Sequence, residues 1–424
     1  MRTWGRCLVI GVMCGVAAGF ASQAAAQQVP TAHPVAQPVA EPVPPEYAPR
    51  GIPGGTFRFY PVLGLGSYYD DNVYRSSSAT KDDFFFSENA GFVLQSQWAR
   101  HQLDVYGIVR SYQYARLTKE SHTDLSVGTD GQLDILRGVD LKGGISYNIH
   151  HEQRASPNQP GDARQPTKYQ IALADAAFEY HPYHFGIEIG GTFAHYQWSP
   201  TPLLGTPFPQ NNTDRNRDEY EAYAKLSYDF SPGYSIFTKV TSRTVDYTLT
   251  LDRHGQKRNN DGYKVDAGLE ANVTRLLVGQ IFAGYLDERY PGTLPDVTGF
   301  NFGANLDWYA TPLWTFHLTA TRTLNGTTLQ YASSEDDQSV RVDADYSMRQ
   351  DIMLKGYFGY INSDFSGSTP HRADDYYLGG ISLNYYMNHN MSAKVAYDYE
   401  NRASTLPGQG FTDNTVTVGL QFQL

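Results

Sequence analysis

From Thr56 to the C-terminus, apolar side chains recur at every second position rather than at every third or fourth. The stretch 263–273 shows the pattern clearly. Its apolar positions are Tyr263, Val265, Ala267, Leu269, Ala271 and Val273, and its polar positions include Lys264, Asp266, Glu270 and Asn272. A period of two predicts β-strands with one apolar face and one polar face.

Eighteen such runs follow one another, most of them 12–17 residues long, with alternately short and long connections. Strands of soluble proteins average about 5–6 residues, whereas tilted strands that cross a bilayer need roughly 9–11. The even count, the alternating connections and the two chain ends on the short-turn side are typical of bacterial outer-membrane barrels. The sequence therefore predicts an all-β fold, a transmembrane antiparallel up-and-down β-barrel of about 18 strands.

Composition agrees with this fold and excludes other classes. The 424 residues include 44 acidic and 33 basic ones, which gives a formal net charge of −11. An acidic chain without a basic block is a poor nucleic-acid binder, so no nucleic-acid partner is expected. The mean hydropathy of −0.46 argues against a bundle of membrane helices but suits a barrel, whose inner face is polar.

The N-terminus predicts export. Arg2 and Arg6 precede the apolar stretch 7–21, and small residues at 24–26 offer a cleavage site, so residues 1–26 are predicted to be a signal peptide. Residues 27–55 are rich in proline and predict an extended periplasmic linker, either a plain spacer or a docking segment. The barrel is predicted to occupy residues 56–424. Both cysteines fall within the signal, so the exported protein has no thiol for disulfides or metal binding.

The polar faces of several strands carry charges of both signs, and in a barrel of 16–18 strands these faces line an aqueous lumen. Their alternation with apolar residues makes them candidates for pore-lining positions, although each charge could merely neutralise a neighbouring strand. The candidates are Asp140, Lys142, Glu219, Glu221, Lys225, Lys264, Asp266, Glu270, Arg341, Asp343, Asp345, Arg349, Lys394, Asp398, Glu400 and Arg402. A mixed polar wall favours hydrated solutes that carry little net charge.

Aromatic residues cluster near the predicted strand ends, where interfacial girdles are expected. Examples are Tyr68-Tyr69, Trp98, Tyr180, Tyr183, Trp198, Trp308-Tyr309, Trp314, Tyr376-Tyr377 and Tyr385-Tyr386. Among the long loops, residues 197–215 are the best candidate to fold inward and constrict the lumen, since their centre contains Leu203, Leu204 and Phe208. An ordinary outer loop is the alternative.

Paired acids occur where long loops meet strands, at Asp70-Asp71, Asp82-Asp83, Asp336-Asp337 and Asp374-Asp375. Divalent cations could bridge such oxygen ligands to lipopolysaccharide, or the acids could be solvated charges at strand ends. The segments His150-His151-Glu152 and His181-Pro182-Tyr183-His184 are the only histidine clusters, and neither offers a distant third ligand in the sequence. No catalytic motif is present, so the sequence predicts no enzyme activity, no cofactor and no metal.

Several segments resemble the putative beta-barrel porin 2 family. They are Tyr68-Tyr69-Asp70-Asp71-Asn72-Val73-Tyr74-Arg75 after a first strand containing Pro61, the Trp98/His101 hairpin, His151-Glu152-Gln153-Arg154-Ala155-Ser156, Tyr376-Tyr377-Leu378-Gly379-Gly380 and Tyr397-Asp398-Tyr399-Glu400-Asn401-Arg402. The resemblance covers most of residues 56–424. It implies an outer-membrane barrel associated with exopolysaccharide export, working beside a periplasmic polysaccharide-export lipoprotein. The C-terminal Leu424 departs from the aromatic residue that usually ends such barrels, but Phe422 lies on the same face.

Together these observations lead us to expect a channel in the outer membrane of a Gram-negative cell that passes exopolysaccharide or capsular polysaccharide. Its expected partners are outer-membrane lipids and lipopolysaccharide, the export lipoprotein, and a polysaccharide or sugar cargo. The alternatives are a general or sugar-selective diffusion porin and an occluded structural or adhesion barrel.

Overall fold

A computed structural model describes residues 44–271 and 276–424. The predicted signal peptide and most of the predicted linker lie outside the described residues. Within the described ranges, no helix is long and apolar enough to span a membrane.

The described residues form nineteen strands in one sheet, of which eighteen make up a closed barrel. The short strand β1 (Ile52–Gly54) lies outside the closed ring. The barrel strands are β2 (Phe57–Asp70), β3 (Asp83–Ser96), β4 (Gln102–Tyr114), β5 (His122–Leu136), β6 (Val139–His151), β7 (Lys168–Tyr180), β8 (Phe185–Trp198), β9 (Arg217–Ser231), β10 (Tyr234–Tyr247), β11 (Asn260–Ala271), β12 (Leu277–Arg289), β13 (Val297–Trp308), β14 (Trp314–Asn325), β15 (Glu335–Arg349), β16 (Ile352–Phe365), β17 (Ala373–Asn388), β18 (Met391–Ser404) and β19 (Phe411–Gln423).

Each barrel strand pairs antiparallel with the next one in the sequence, and β19 closes the ring by pairing with β2, from Thr415 opposite Asp70 to Gln423 opposite Val62. Closure leaves the spanning sheet without an open edge, which lipid could not satisfy because it offers no hydrogen bonds. Long and short connections alternate around the ring as predicted. The predicted 18-stranded up-and-down barrel is therefore confirmed.

The alternating side chains separate into an outer and an inner face. On β11, Tyr263, Val265 and Leu269 are exposed, whereas Asp266 between them is buried. The row that contains the buried charges also contacts a loop that reaches across the barrel: Arg402 of β18 donates a hydrogen bond to the Ala155 carbonyl oxygen in the connection between β6 and β7. This contact identifies that row as the interior face. The apolar outer face fits a lipid environment and the charged inner face fits water.

The aromatic girdle prediction is correct for one residue of each consecutive tyrosine pair and wrong for the other. Tyr377 and Tyr385 are exposed on the outer face, but their neighbours Tyr376 and Tyr386 are buried on the inner face. Tyr68 and Trp198 are likewise buried rather than exposed to lipid. Successive side chains of a strand point to opposite faces, so two adjacent aromatics cannot both belong to the girdle.

The last part of the predicted linker packs against the barrel at its short-turn end. Strand β1 pairs with the first residues of β2, beyond the point where β19 has ended. Gly51 has a φ of +66°, and a Cβ atom there would lie 2.6 Å from the Tyr60 ring, so the chain needs glycine at this bend. Tyr47 stacks on Tyr386 with ring centroids 5.9 Å apart, and Arg50 bonds to His389.

The assignment of faces makes a prediction about stability. Val265→Arg, at the middle of β11 on the outer face, should destabilise the barrel by about 2–4 kcal/mol because the charge enters lipid near the bilayer midplane. Gln280→Arg is the matched control, since Gln280 lies on the interior row opposite Glu270. Urea unfolding in vesicles should show a small effect for this control, and equal effects of the two variants would contradict the assignment.

Candidate functional site

Fifteen of the sixteen predicted pore-lining residues share the interior face. They lie on β6, β9, β11, β15 and β18, and each belongs to the row of positions that alternates with the exposed apolar row. Arg349 is different, because a register shift after Ser347 places it opposite Ile352 at the end of β15. There Arg349 forms an ion pair with Asp351 of the adjoining turn.

Several charges of the interior wall form ion pairs, some of them between strands. Lys142 Nζ lies 2.6 Å from Glu179, and Lys225 Nζ lies 2.9 Å from Glu270. Elsewhere on the wall the Arg341 guanidinium bonds to Asp343 at 2.7 Å and covers the Tyr357 ring at 3.9 Å from its centroid. Where charges are paired in this way they neutralise one another locally, and the wall there presents a polar surface with both signs of charge.

The connection between β6 and β7, residues 152–167, folds across the mouth of the barrel, and we call it the lid loop. Arg402 of β18 donates a hydrogen bond of 2.6 Å to the carbonyl oxygen of Ala155. Further along, the Asn158 side chain accepts a 2.7 Å bond from the Thr328 backbone N–H and donates one of 3.4 Å to the Gly326 carbonyl. Residues 326 and 328 follow β14, which is seven strands from β7 around the 18-stranded ring, so the loop reaches nearly to the opposite wall.

Two ion pairs hold the base of the lid loop. Glu152 is buried, pairs with Arg215 and accepts a 3.3 Å bond from the Trp198 indole N–H. Arg154 makes a two-pronged contact with Glu120 through bonds of 2.6 and 2.8 Å. Such paired, two-bond contacts fix orientation as well as distance.

Residues 197–215 were predicted from their apolar centre to constrict the lumen. In the structure this loop packs onto the lid loop. Leu203 and Ala163 form an isolated β-bridge, and the Thr167 and Thr201 hydroxyls lie 2.6 Å apart. The apolar side chains Leu204 and Phe208 remain 60% and 77% exposed. The bonds to the far side of the barrel described above belong to the lid loop and are polar, whereas apolar content singled out residues 197–215.

The paired acids at the loop–strand junctions serve contacts within the chain. In each pair, at least one carboxylate is buried and bonds to an arginine of a nearby loop or strand: Asp70 to Arg75, Asp83 to Arg116, Asp336 to Arg322 and Asp374 to Arg372. Asp83 also accepts backbone N–H bonds from Arg116 and Leu117. These four carboxylates therefore serve contacts within the chain, while Asp70 and Asp71 also lie beside Asp413, with one oxygen of each within 4.8 Å of the others.

A small acidic cavity lies between the lid loop and the wall. Gln153, Ala155, Ser156 and Pro157 of the lid loop form one side, and Glu335, Asp337, Ile361, Ser363, Tyr376 and Glu400 form the other. One carboxylate oxygen of Glu335 and one of Glu400 have no hydrogen-bond partner among the described residues. Buried unpaired oxygens are costly, so this contact between lid and wall is less well satisfied than the ion pairs at the base of the loop.

A family model described as Putative beta-barrel porin 2 matches residues 44–424. The chain belongs to this family. No curated protein matches the sequence. Among solved structures, the outer membrane protein OpdK from Pseudomonas aeruginosa is similar, with 11% identity over 86% of this chain and 99% of that one and a TM-score of 0.42. Acinetobacter baumannii OccAB4 shows 12% identity over 86% and 98% of the two chains, with a TM-score of 0.44.

A mutant of the Pseudomonas aeruginosa ferric enterobactin receptor PfeA, in complex with enterobactin, shows 8% identity. The likeness covers 86% of this chain and 81% of that one, with a TM-score of 0.45. Membership of the porin family makes the chain a porin-like β-barrel, the architecture that outer-membrane channels use.

The contact between Asp214 and Arg253, in two loops outside the membrane-spanning strands, should make the stability of these loops depend on pH. Burial opposes ionisation of Asp214, but the hydrogen bonds and charge of Arg253, at 2.6 and 2.7 Å, outweigh it and lower the pKa of Asp214. A lowered carboxyl pKa stabilises the folded loops above the unfolded value, about 3.9, and this contribution is lost as the pH falls further. Hydrogen exchange of residues 248–259, corrected for intrinsic rates, should be unchanged from pH 7 to 5 and faster at pH 3.

Asp214→Asn should already show the fast exchange at pH 7. The control Asp218→Asn removes a carboxylate that pairs with exposed His195 and should leave the exchange of residues 248–259 unchanged. The interpretation would be wrong if Asp214→Asn exchanged like the wild type at pH 7.

Proposed function

We propose that the protein is an outer-membrane channel through which exopolysaccharide leaves the cell, with the lid loop closing its outer mouth between export events. The observation that carries the proposal is the lid loop itself, which joins a polar barrel wall to its nearly opposite side through Asn158 and Arg402. A barrel that serves only as a scaffold has no need of a polar lumen. A loop that is fixed at its base by buried ion pairs and bonded towards the opposite wall supports a gated channel over a permanently open one.

The chemistry of the interior supports a sugar cargo. Hydrated polysaccharides offer many hydroxyl groups, which exchange hydrogen bonds with paired carboxylates and amides without needing one sign of charge. The Arg341, Asp343, Tyr357 and Asp398 side chains combine charged hydrogen-bonding groups with an aromatic ring on one stretch of wall. The role proposed here is transport, with no catalytic step.

Each end of the barrel, and its outer face, has a different proposed partner. At the short-turn end, residues 44–54 lie against the mouth through Tyr47, Arg50 and β1. This position supports a contact between the Pro-rich segment and a periplasmic export lipoprotein. At the other end, the long loops would meet lipopolysaccharide. The outer apolar face would contact the membrane lipids.

Two measurements test the proposal together. Single-channel recordings of the purified protein in planar bilayers should show rare openings, and added oligosaccharide should block the open state. Deletion of the gene should abolish surface polymer without reducing uptake of small sugars. Steady, large conductance and normal surface polymer in the deletion strain would instead support a diffusion porin, and complete absence of conductance with normal polymer would support an occluded structural barrel.

A further inference from the structure

Three side chains that can bind metal meet at the base of the lid loop. His122 and Asp124 open β5, and His151 ends β6 immediately before Glu152. One ligand atom from each lies within 4.8 Å of the others, and the His122 and His151 rings are 4.8 Å apart between centroids. The sequence shows only the His150-His151-Glu152 cluster, whereas the pairing of β5 with β6 supplies the third ligand that the cluster lacks.

The hydrogen bonds prepare these side chains for a metal. His122 Nδ1 lies 2.6 Å from the Glu120 carbonyl oxygen, which can only accept, so Nδ1 carries the proton and Nε2 keeps a free lone pair. Donation of the second ring N–H to a carbonyl or carboxylate is the usual arrangement for a metal-binding histidine. His151 Nδ1 lies 2.8 Å from Asp124 Oδ1, so the carboxylate already faces this ring.

The charge balance also favours a cation. The ion-pair partners of Asp124 found in the described part of the chain are His151 and His150, at 2.8 and 3.8 Å, and they include no lysine or arginine. The His151 and Asp124 side chains are 15% and 17% exposed, which leaves a path for an ion from the solvent.

We propose that His122, Asp124 and His151 bind a late first-row divalent cation of the Zn²⁺ type at the base of the lid loop. Two imidazole nitrogens and one carboxylate oxygen suit this class of ion, with water or His150 completing a tetrahedron. Bonds of 2.0–2.2 Å place tetrahedral ligands about 3.4 Å from one another, so ligand atoms up to 4.8 Å apart must approach by as much as about 1.4 Å. If His151 Nδ1 and Asp124 Oδ1 are both ligands, their 2.8 Å contact must open by about 0.6 Å. The ion would tie the ends of β5 and β6 together at the residue before the lid loop, whatever cargo the barrel passes.

The test uses the full-length, tag-free protein in detergent after chelator treatment, titrated with Zn²⁺ by calorimetry and with Co²⁺ by absorbance. We expect one equivalent of Zn²⁺ per chain and visible Co²⁺ bands of a four-coordinate site. Each of His122→Gln, Asp124→Asn and His151→Gln should weaken binding at least about tenfold, as loss of even a supporting contact does at metal sites.

The matched control is His195→Gln, because His195 forms a similar 2.6 Å contact with Asp218 but, among the residues that the structure describes, has no third ligand beside it. Heat-modifiable migration in gels should show that every variant is folded. The proposal is overturned if the wild type takes up no Zn²⁺, or if the three variants bind it as tightly as His195→Gln does.

Discussion

Shortening the lid loop should raise the mean conductance of the barrel at least about tenfold, because 18 strands enclose an aqueous channel once no loop crosses it. The variant replaces residues 154–164 with a short Gly/Ser linker. It also carries Glu120→Gln, since the buried Glu120 would otherwise lose Arg154 and remain an unpaired buried charge. Planar-bilayer recordings and sensitivity of cells to bulky antibiotics measure the opening.

The control for this variant is removal of residues 205–209 from the neighbouring loop. These residues are exposed, and they lie outside the β-bridge between Leu203 and Ala163. We expect the control to conduct as rarely as the wild type. Unchanged conductance after lid shortening would mean that the lid loop is not the barrier, and an equally large opening in the control would move the barrier to the outer loop.

The barrel could be predicted from one sequence because its determinants are local and periodic. Lipid forces one face of every strand to be apolar, so residues such as Val265 and Asp266 report their faces directly through their order in the chain. The same alternation of faces shows that Tyr376 and Tyr377, which are adjacent in one strand, cannot both lie in the aromatic girdle. Only Arg349 departs from the predicted row, and the cause is a register shift that the alternation does not reveal.

The lid loop could not be predicted in the same way. Its anchors join residues far apart in the sequence, such as Ala155 with Arg402 and Asn158 with Thr328. These contacts are polar and follow no period, so apolar content favoured residues 203–208 instead.

The metal cluster could be predicted in part. The tight turn between β5 and β6 sets the register of the two strands and pairs Leu125 with Ile149. Extending that register by one residue places Asp124 opposite His150, next to His151. The sequence alone could therefore have indicated that Asp124 lies beside the His150-His151 pair.

Neutralising the ion pair at the base of the lid loop should also open the channel. Glu152→Gln keeps the size of the side chain and a hydrogen bond to Trp198 but leaves the Arg215 guanidinium buried without its counter-charge. Removing one partner of a buried pair costs about 3–5 kcal/mol. If the lid loop opens to relieve this cost, the ratio of open to closed states rises by a factor of about 10² to 4×10³, since about 1.4 kcal/mol corresponds to a factor of ten.

The double variant Glu152→Gln/Arg215→Met separates this effect from general damage, because it removes both charges and should return most of the way to wild-type closure. Lys142 and Glu179 provide the matched pair in the barrel wall, with side chains 43% and 29% exposed. Glu179→Gln should therefore cost only about 0–1 kcal/mol and leave gating unchanged. Equal gating effects of Glu152→Gln and Glu179→Gln would contradict the role of the Glu152–Arg215 pair, whereas recovery in the double variant would identify it as the latch that keeps the lid loop closed.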